Sequence, residues 1–232
     1  MRRRRPLLAL LLLIGGCAAP PPRVVVPAAA PAELPGAYYQ GRAEQGAAIL
    51  RVDAAGSLLT VEVRRAGALA RLGHDHVVAS HDLGGFVDTA AGRADLFVPL
   101  AALAVDEATL RAAAGFDTQP SAADIAGTRD NMLGKVLEVA RYPYALIHVT
   151  GDPRDAHAPF KLALTLHGTT RERELPLEVT QDRDGLTVSG TLSMSQSEFG
   201  ITPFAVLGGA LAVRDQVDLH FRVRAVSPAT TR

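Results

Sequence analysis

Apolar and polar residues alternate along most of the second half of the chain. Phe160, Leu162, Leu164 and Leu166 alternate with Lys161, Ala163, Thr165 and His167, and Val217, Leu219, Phe221 and Val223 alternate with Asp218, His220, Arg222 and Arg224. The same period runs through Leu59, Val61 and Val63, through Leu175, Leu177 and Val179, and through Leu186, Val188, Leu192 and Met194. A period of two places one apolar and one wet face on each strand, the pattern of antiparallel sheets and up-and-down barrels. Short links at His167-Gly168-Thr169-Thr170 and around Asp184-Gly185 predict hairpins. Pro176, inside one alternating run, predicts an edge or a bulge.

The middle of the chain departs from this period. Asp106 to Ala114 is alanine-rich and helical in propensity. A second helix is marked by the cap residues Ser121 and Asp124, and by Ile125, Thr128, Met132, Leu133, Val136 and Ala140 at helical spacing, with Tyr142-Pro143 as its stop. Strands, then helices, then strands again predict a mainly β fold: an antiparallel barrel with one or two helices inserted in the middle of the chain.

The first segment has a different composition. Four arginines precede an apolar run from Leu7 to Ile14, far short of the ~20 residues that span a bilayer. Ile14-Gly15-Gly16-Cys17 then resembles a bacterial lipobox. The expected leader is residues 1–16, with Cys17, the only cysteine, lipidated. The domain then has no partner for an intramolecular disulfide. Residues 17–45 read as a linker. Prolines 20, 21, 22, 27, 31 and 35 oppose a helix, and an extended Ala18 to Pro35 would reach roughly 50 Å. The expected domain spans 46–227, with 228–232 as a tail. A membrane-anchored periplasmic location follows, and Ala18 after the cysteine points to the outer membrane by analogy with enterobacterial sorting.

Without residues 1–16 the chain keeps 20 basic and 24 acidic side chains, a net charge of −4. That balance argues against nucleic acid as a partner, which needs a positive surface. About 180 residues are enough for one well-buried core. With no tryptophan and few aromatics, Val, Leu and Ala must supply it.

Four segments carry a family resemblance: Met132-Leu133-Gly134 through Arg141-Tyr142-Pro143-Tyr144, Leu164 through Arg171, Glu198-Phe199-Gly200-Ile201, and Asp215 through Leu219. In this order, over roughly residues 50 to 226, they resemble the YceI-like family. The resemblance implies a lipocalin-like antiparallel barrel, typically exported, whose apolar interior holds a polyisoprenoid or similar amphiphile. The lumen candidates are then Phe160, Leu162, Leu164, Leu166, Met194, Val217, Leu219 and Phe221. An enclosed prenyl chain contributes up to ~0.8 kcal/mol per carbon before ordering costs are subtracted. The competing packing is a small barrel filled by these side chains.

The densest chemical feature is Gly73-His74-Asp75-His76, followed by His81. On a strand, His74 and His76 share a face, as a transition-metal site requires, whereas His81 has the opposite parity. The alternatives are that His74, Asp75 and His76 order a loop at the barrel mouth or contact a ligand's polar head. No nucleophile elbow, zinc-protease helix or phosphate loop is present, so a binding protein rather than an enzyme is expected. The leading expectation is a membrane-tethered carrier of an isoprenoid, quinone or other long amphiphile. The rival is a metal-dependent protein built on His74, His76 and His81.

Overall fold

The computed structural model describes residues 29–152, 155 and 158–228; the leader, Cys17 and residues 229–232 of the expected tail lie outside the described residues. The fold is a single antiparallel sheet curled into a half-barrel. The long strand β1 (Ile49–Ala66) is its spine. β2 (His76–Ser80), β3 (Gly84–Asp88), β4 (Arg93–Pro99) and the short β5 (Ala104–Val105) follow, and two central helices come next. The second half supplies β6 (Tyr144–Thr150), β7 (Phe160–Leu166), β8 (Thr169–Leu175), β9 (Glu178–Gln181), β10 (Gly185–Ser195), β11 (Ala205–Val206) and β12 (Leu211–Val226). Across the sheet the order is β8-β7-β6-β4-β3-β1-β12-β10-β9.

Register defines two poles. The lower half of β1 pairs with β3, Ile49 opposite Asp88, while its upper half pairs with β2, Val63 opposite His76. Its other edge follows β12 throughout, from Arg51↔Val226 to Ala66↔Ala212. Tyr144 opposite Pro99 and the β7–β8 turn therefore lie at the upper pole, and Asp88, Thr150 and Gly185 lie at the lower pole.

Pro176 divides the run predicted as one alternating strand. Leu175 ends β8, the strand at one end of the sheet's path, and Glu178 begins β9, the strand at the other. The chain itself thus bridges the two ends of the curled sheet. A proline is tolerated there because no ladder hydrogen bond is asked of it.

The hairpin predicted at His167-Gly168 is a two-residue turn. Leu166 pairs with Thr169, and both turn residues have positive φ, 52° and 72°. That is the type I′ geometry whose twist matches the flanking strands. A Cβ on Gly168 would lie 2.8 Å from the Tyr142 ring, so the turn's glycine is also what lets Tyr142 pack against it.

The central helices are α2 (Ala108–Ala113) and α3 (Ala122–Asn131). Ser121 and Asp124 form the expected reciprocal capping box on α3. The helical period does not continue to Ala140. After Asn131 the chain widens into a π turn, Met132–Val136, and Glu138 takes a positive φ of 45°, leaving Ala140 exposed beyond the helix. The widened turn rotates Met132, Val136 and Leu137 onto the core.

The end of the expected linker belongs to the fold. Helix α1 (Gly36–Glu44) lies outside the sheet against β1 and β3 and reaches β4 through Tyr39. Tyr39 is 2% exposed, stacks on Phe86 at 5.1 Å and donates a 2.6 Å hydrogen bond to Asp95. Arg42 pairs with the buried Asp88 at 2.7 Å. Leu34 is also buried, and the Tyr144 hydroxyl reaches the Ala29 carbonyl at 3.4 Å. Residues 29–44 therefore strap the outer face from the upper pole to the lower one. Tyr39→Ala is expected to cost about 3 kcal/mol or more in urea unfolding, as for a large buried aromatic, because it also removes one of the donors to Asp95. A loss within a few tenths of a kcal/mol would mean the strap is ornamental to stability.

Candidate ligand-binding cavity

Inside the half-barrel runs an elongated cavity of about 670 Å³. That falls within the ~300–1,000 Å³ typical of small-molecule sites, whereas well-packed interiors leave few voids larger than a water. The filled-barrel alternative is therefore not what the chain builds.

The walls come from the inward face of each strand. β7 contributes Phe160, Leu162, Leu164 and Leu166; β12 contributes Val217, Leu219, Phe221 and Val223; β10 adds Leu192 and Met194. All eight residues named as lumen candidates from the sequence line this space. β1 adds Leu59, Val61 and Val63, which alternate in the sequence as well, and β4 adds Ala94, Leu96 and Val98, which the alternation did not reveal. Near the lower pole Leu186, Val188 and Ala225 line the floor, with Asp88, Thr89 and Arg93 at its edge.

Polar groups gather at the upper pole, where α3 lies over the lumen. Its inward side is small and polar, with Ala123, Asp124, Gly127, Thr128 and Asn131 facing the cavity beside His74, His76 and Gln196. The His74 Nδ1 atom is buried without a hydrogen-bond partner among the described residues. Such an atom costs stability unless something else contacts it.

The histidines do not converge as a metal site would require. His74 and His76 face each other with ring centroids 6.3 Å apart, but His76 Nδ1 lies 2.6 Å from Asp106 Oδ2. His81 turns away to Glu107, 2.9 Å from its carboxylate. Among the described residues no group of three or more His, Cys, Asp or Glu is placed to hold a metal ion. The reason is the one parity anticipated: His81 lies beyond the end of β2 and no bulge returns it to the side of His74 and His76. Asp75 is a loop organiser, accepting from the Arg65 backbone N–H at 2.8 Å while its carbonyl accepts from Arg111.

Sequence reading missed the carboxylate at the centre of this loop. Asp106 is fully buried and accepts from Val77 N–H at 3.0 Å and from Arg111 at 2.6 Å, besides contacting His76. Burial pushes its carboxyl up, but donation from His76, Val77 and Arg111 outweighs that and holds it below the usual carboxylate range. Asp95 behaves likewise under the strap, where burial is overcome by donation from Arg93, Tyr39 and His148. Burial, followed by the bond to Asp95, in turn pushes the Tyr39 phenol up. The only local hint of Asp106 was an acid at the start of an alanine-rich helix.

Both carboxyls thus titrate lower in the folded chain than the ~3.9 of an unfolded aspartate. Their stabilisation is complete above that value and is lost as pH falls through the folded pKa. Thermal stability is accordingly expected to drop below about pH 4, and the drop should shrink when both are replaced by Asn. An undiminished acid transition in the double variant would place its origin elsewhere.

The other motif segments lock together at the rim. The Tyr142 ring sits 4.4 Å from that of His167. Glu198 pairs with Arg173 on β8. Asp215 accepts from Ser197 through both N–H and hydroxyl, holding the turn that buries Phe199 and Ile201. Asp215 can do so because three residues of β12, Arg214 to Gln216, bulge between the pairs Val63↔Val217 and Arg65↔Val213.

A curled antiparallel sheet strapped outside and open within is the architecture of a lipocalin-like binding protein. The chain belongs to the YceI-like domain family, which matches residues 51–225. No curated protein matches it. Among solved structures it resembles a polyisoprenoid-binding domain from Saccharophagus degradans implicated in plant cell wall breakdown. The TM-score is 0.56 at 17% identity, covering 78% of this chain and 99% of that one. It also resembles Burkholderia cenocepacia BcnA, with TM-score 0.50 at 15% identity, covering 75% and 99%. At these identities the likeness is one of fold.

Proposed function

We propose that the domain binds one long apolar chain with a polar head, a polyisoprenoid, an isoprenoid quinone or a similar amphiphile, and acts as a carrier rather than an enzyme. The observation that supports this most directly is the cavity itself, apolar along its length, with polar side chains only toward its ends. Each buried methylene of a guest contributes up to ~0.8 kcal/mol, so a few isoprene units offset the cost of association. The unpartnered His74 Nδ1, beside Asn131 and Gln196, is the natural contact for the head group. The lipobox-like Ile14 to Cys17 supports attachment to the periplasmic face of the outer membrane through lipid on Cys17. Among the described residues no helix is long and apolar enough to cross a membrane.

Native mass spectrometry of protein purified from a bacterial envelope tests both parts. Organic extraction identifies the cargo, and intact mass reads acylation at Cys17. One equivalent of a prenyl-type lipid, retained in the presence of a chelator, is expected. A protein reproducibly empty after gentle purification, and unable to take up prenyl lipids from micelles, would remove the basis for a carrier.

A further inference from the structure

The upper pole carries an exposed apolar surface that extends beyond the cavity mouth. From Ile201 to Val213 the chain has no charged residue, and its tip, Ala205 to Gly209, is exposed throughout. β11 pairs Ala205 and Val206 with Ala212 and Leu211, making a hairpin that stands at the upper end of β12. Leu207 is 72% exposed and Val206 38%. Leu207 holds a positive φ of 52°, followed by Gly208 and Gly209 at 66° and 88°. A left-handed leucine is strained, and here the strain presents an apolar side chain to solvent.

A second loop meets the first. The Ala70–Leu72 turn leaves Leu72 66% exposed, and a Leu69 N–H donates to the Ala210 carbonyl at 2.8 Å, tying the two loops together. Leu72, Val206 and Leu207 are the large apolar residues most exposed among those described, and all three sit on these tied loops. Leu72 and Leu211 also line the cavity, so the patch is continuous with the mouth. Arg71 and Arg214, both exposed, flank it.

We infer that this pair of loops is a membrane-docking tip that seats the cavity mouth on a phospholipid bilayer. The occupant is indicated by where the strap begins. Ala29 lies against Tyr144, at the same pole, and is only twelve residue steps from Cys17. Even fully extended, twelve residues reach roughly 40 Å. A lipid on Cys17 therefore holds the start of the strap, at the upper pole, within that distance of the bilayer. Apolar side chains flanked by arginines match the interface between acyl chains and anionic head groups. Docking there lets a long lipid pass between bilayer and lumen without crossing water. This orientation rests on the tether reading, whereas the affinity of the loops for lipid does not.

The chain contains no tryptophan, so one introduced at a chosen site is a unique reporter. Leu207→Trp and, at the lower pole, Ala90→Trp are placed in the full chain, produced with its own leader, purified from membranes and reconstituted in phosphatidylcholine–phosphatidylglycerol vesicles. Leu207→Trp should shift to the blue and be quenched several-fold more by brominated acyl chains than Ala90→Trp. Adding Leu72→Glu and Val206→Glu to Leu207→Trp should restore a solvent-exposed spectrum. Equal quenching at both sites, or none, overturns the proposal. A concentration-dependent blue shift in detergent without vesicles also overturns it, making the patch a contact between copies of the chain. Intact mass separates the two premises: an unmodified Cys17 with quenched Leu207→Trp sinks the tether and keeps the docking tip, whereas an acylated Cys17 with unquenched Leu207→Trp does the opposite.

Discussion

Val61→Trp is expected to empty the cavity while leaving the fold intact. Val61 faces the lumen from the middle of β1, between Leu59 and Val63, and lies opposite Leu219 on β12. Most core positions resist a large insertion, at about 1–3 kcal/mol for a few added methylenes. This one adjoins free volume, so the indole displaces guest rather than neighbours. The apparent affinity for a prenyl lipid should fall at least ~100-fold, about 2.8 kcal/mol, with the unfolding midpoint nearly unchanged. Leu164→Asp, on the facing wall, should also abolish binding, by placing a carboxylate against the chain, but at a larger cost to stability. Thr60→Trp, one residue away on the other face of β1, is the control and should bind as the wild type does. If Val61→Trp folds and binds like Thr60→Trp, the lumen is not where the lipid lies.

The largest loss of stability is expected from Asp106→Ala, at about 3–5 kcal/mol in equilibrium unfolding, the usual cost of removing one partner from a buried ion pair. Arg111 is only 7% exposed, and it would be left with carbonyl and hydroxyl acceptors but no countercharge. The Val77 N–H would lose its acceptor, and the His76 ring its anchor beside the cavity mouth. Removing both Asp106 and Arg111 should cost clearly less than the sum of the single changes, which a double-mutant cycle reads directly. Additive losses would show that the two side chains act independently, against their 2.6 Å contact.

The strands that were legible in the chain share one property: they have a wet face. β7, β10 and β12 alternate because their outward residues, such as Lys161, Ser189 and Arg222, meet solvent. β2 and β4 were not legible, because both of their faces are covered. On β4 the inward set Ala94, Leu96 and Val98 lines the cavity, while Asp95 lies under Tyr39 and Phe97 packs edge-on against Tyr144. Burial on both sides removes the period that alternation depends on, and only length and β propensity remain. The strap was hidden for the opposite reason. Helix α1 has little helical amphipathicity and a proline at its cap, so Pro35 and the preceding alanines made it resemble linker. Its place is set by one tyrosine and one arginine finding Asp95 and Asp88 from across the sheet.

The candidate site divides the same way. The sequence by itself determined which side chains of the alternating strands β1, β7, β10 and β12 share a face, since parity on a strand is a local property of the backbone and needs no knowledge of the partner strands. It also determined the turns, where Gly168 and the Ser121–Asp124 box act within a few residues. Only the tertiary structure decided that the cavity stays open, because volume depends on how far the sheet curls, and curl is the sum of twist, bulges and the Pro176 crossing. Only it decided that His74, His76 and His81 part company, each drawn to a different acid or to none. Acids distant in sequence, Asp106 for His76 and Glu107 for His81, set those directions, and pairings over 30 and 26 residues leave no mark on local pattern. The same holds for the apolar tip at Leu207: no local period marks it, and only the fold leaves it exposed at the end of a hairpin.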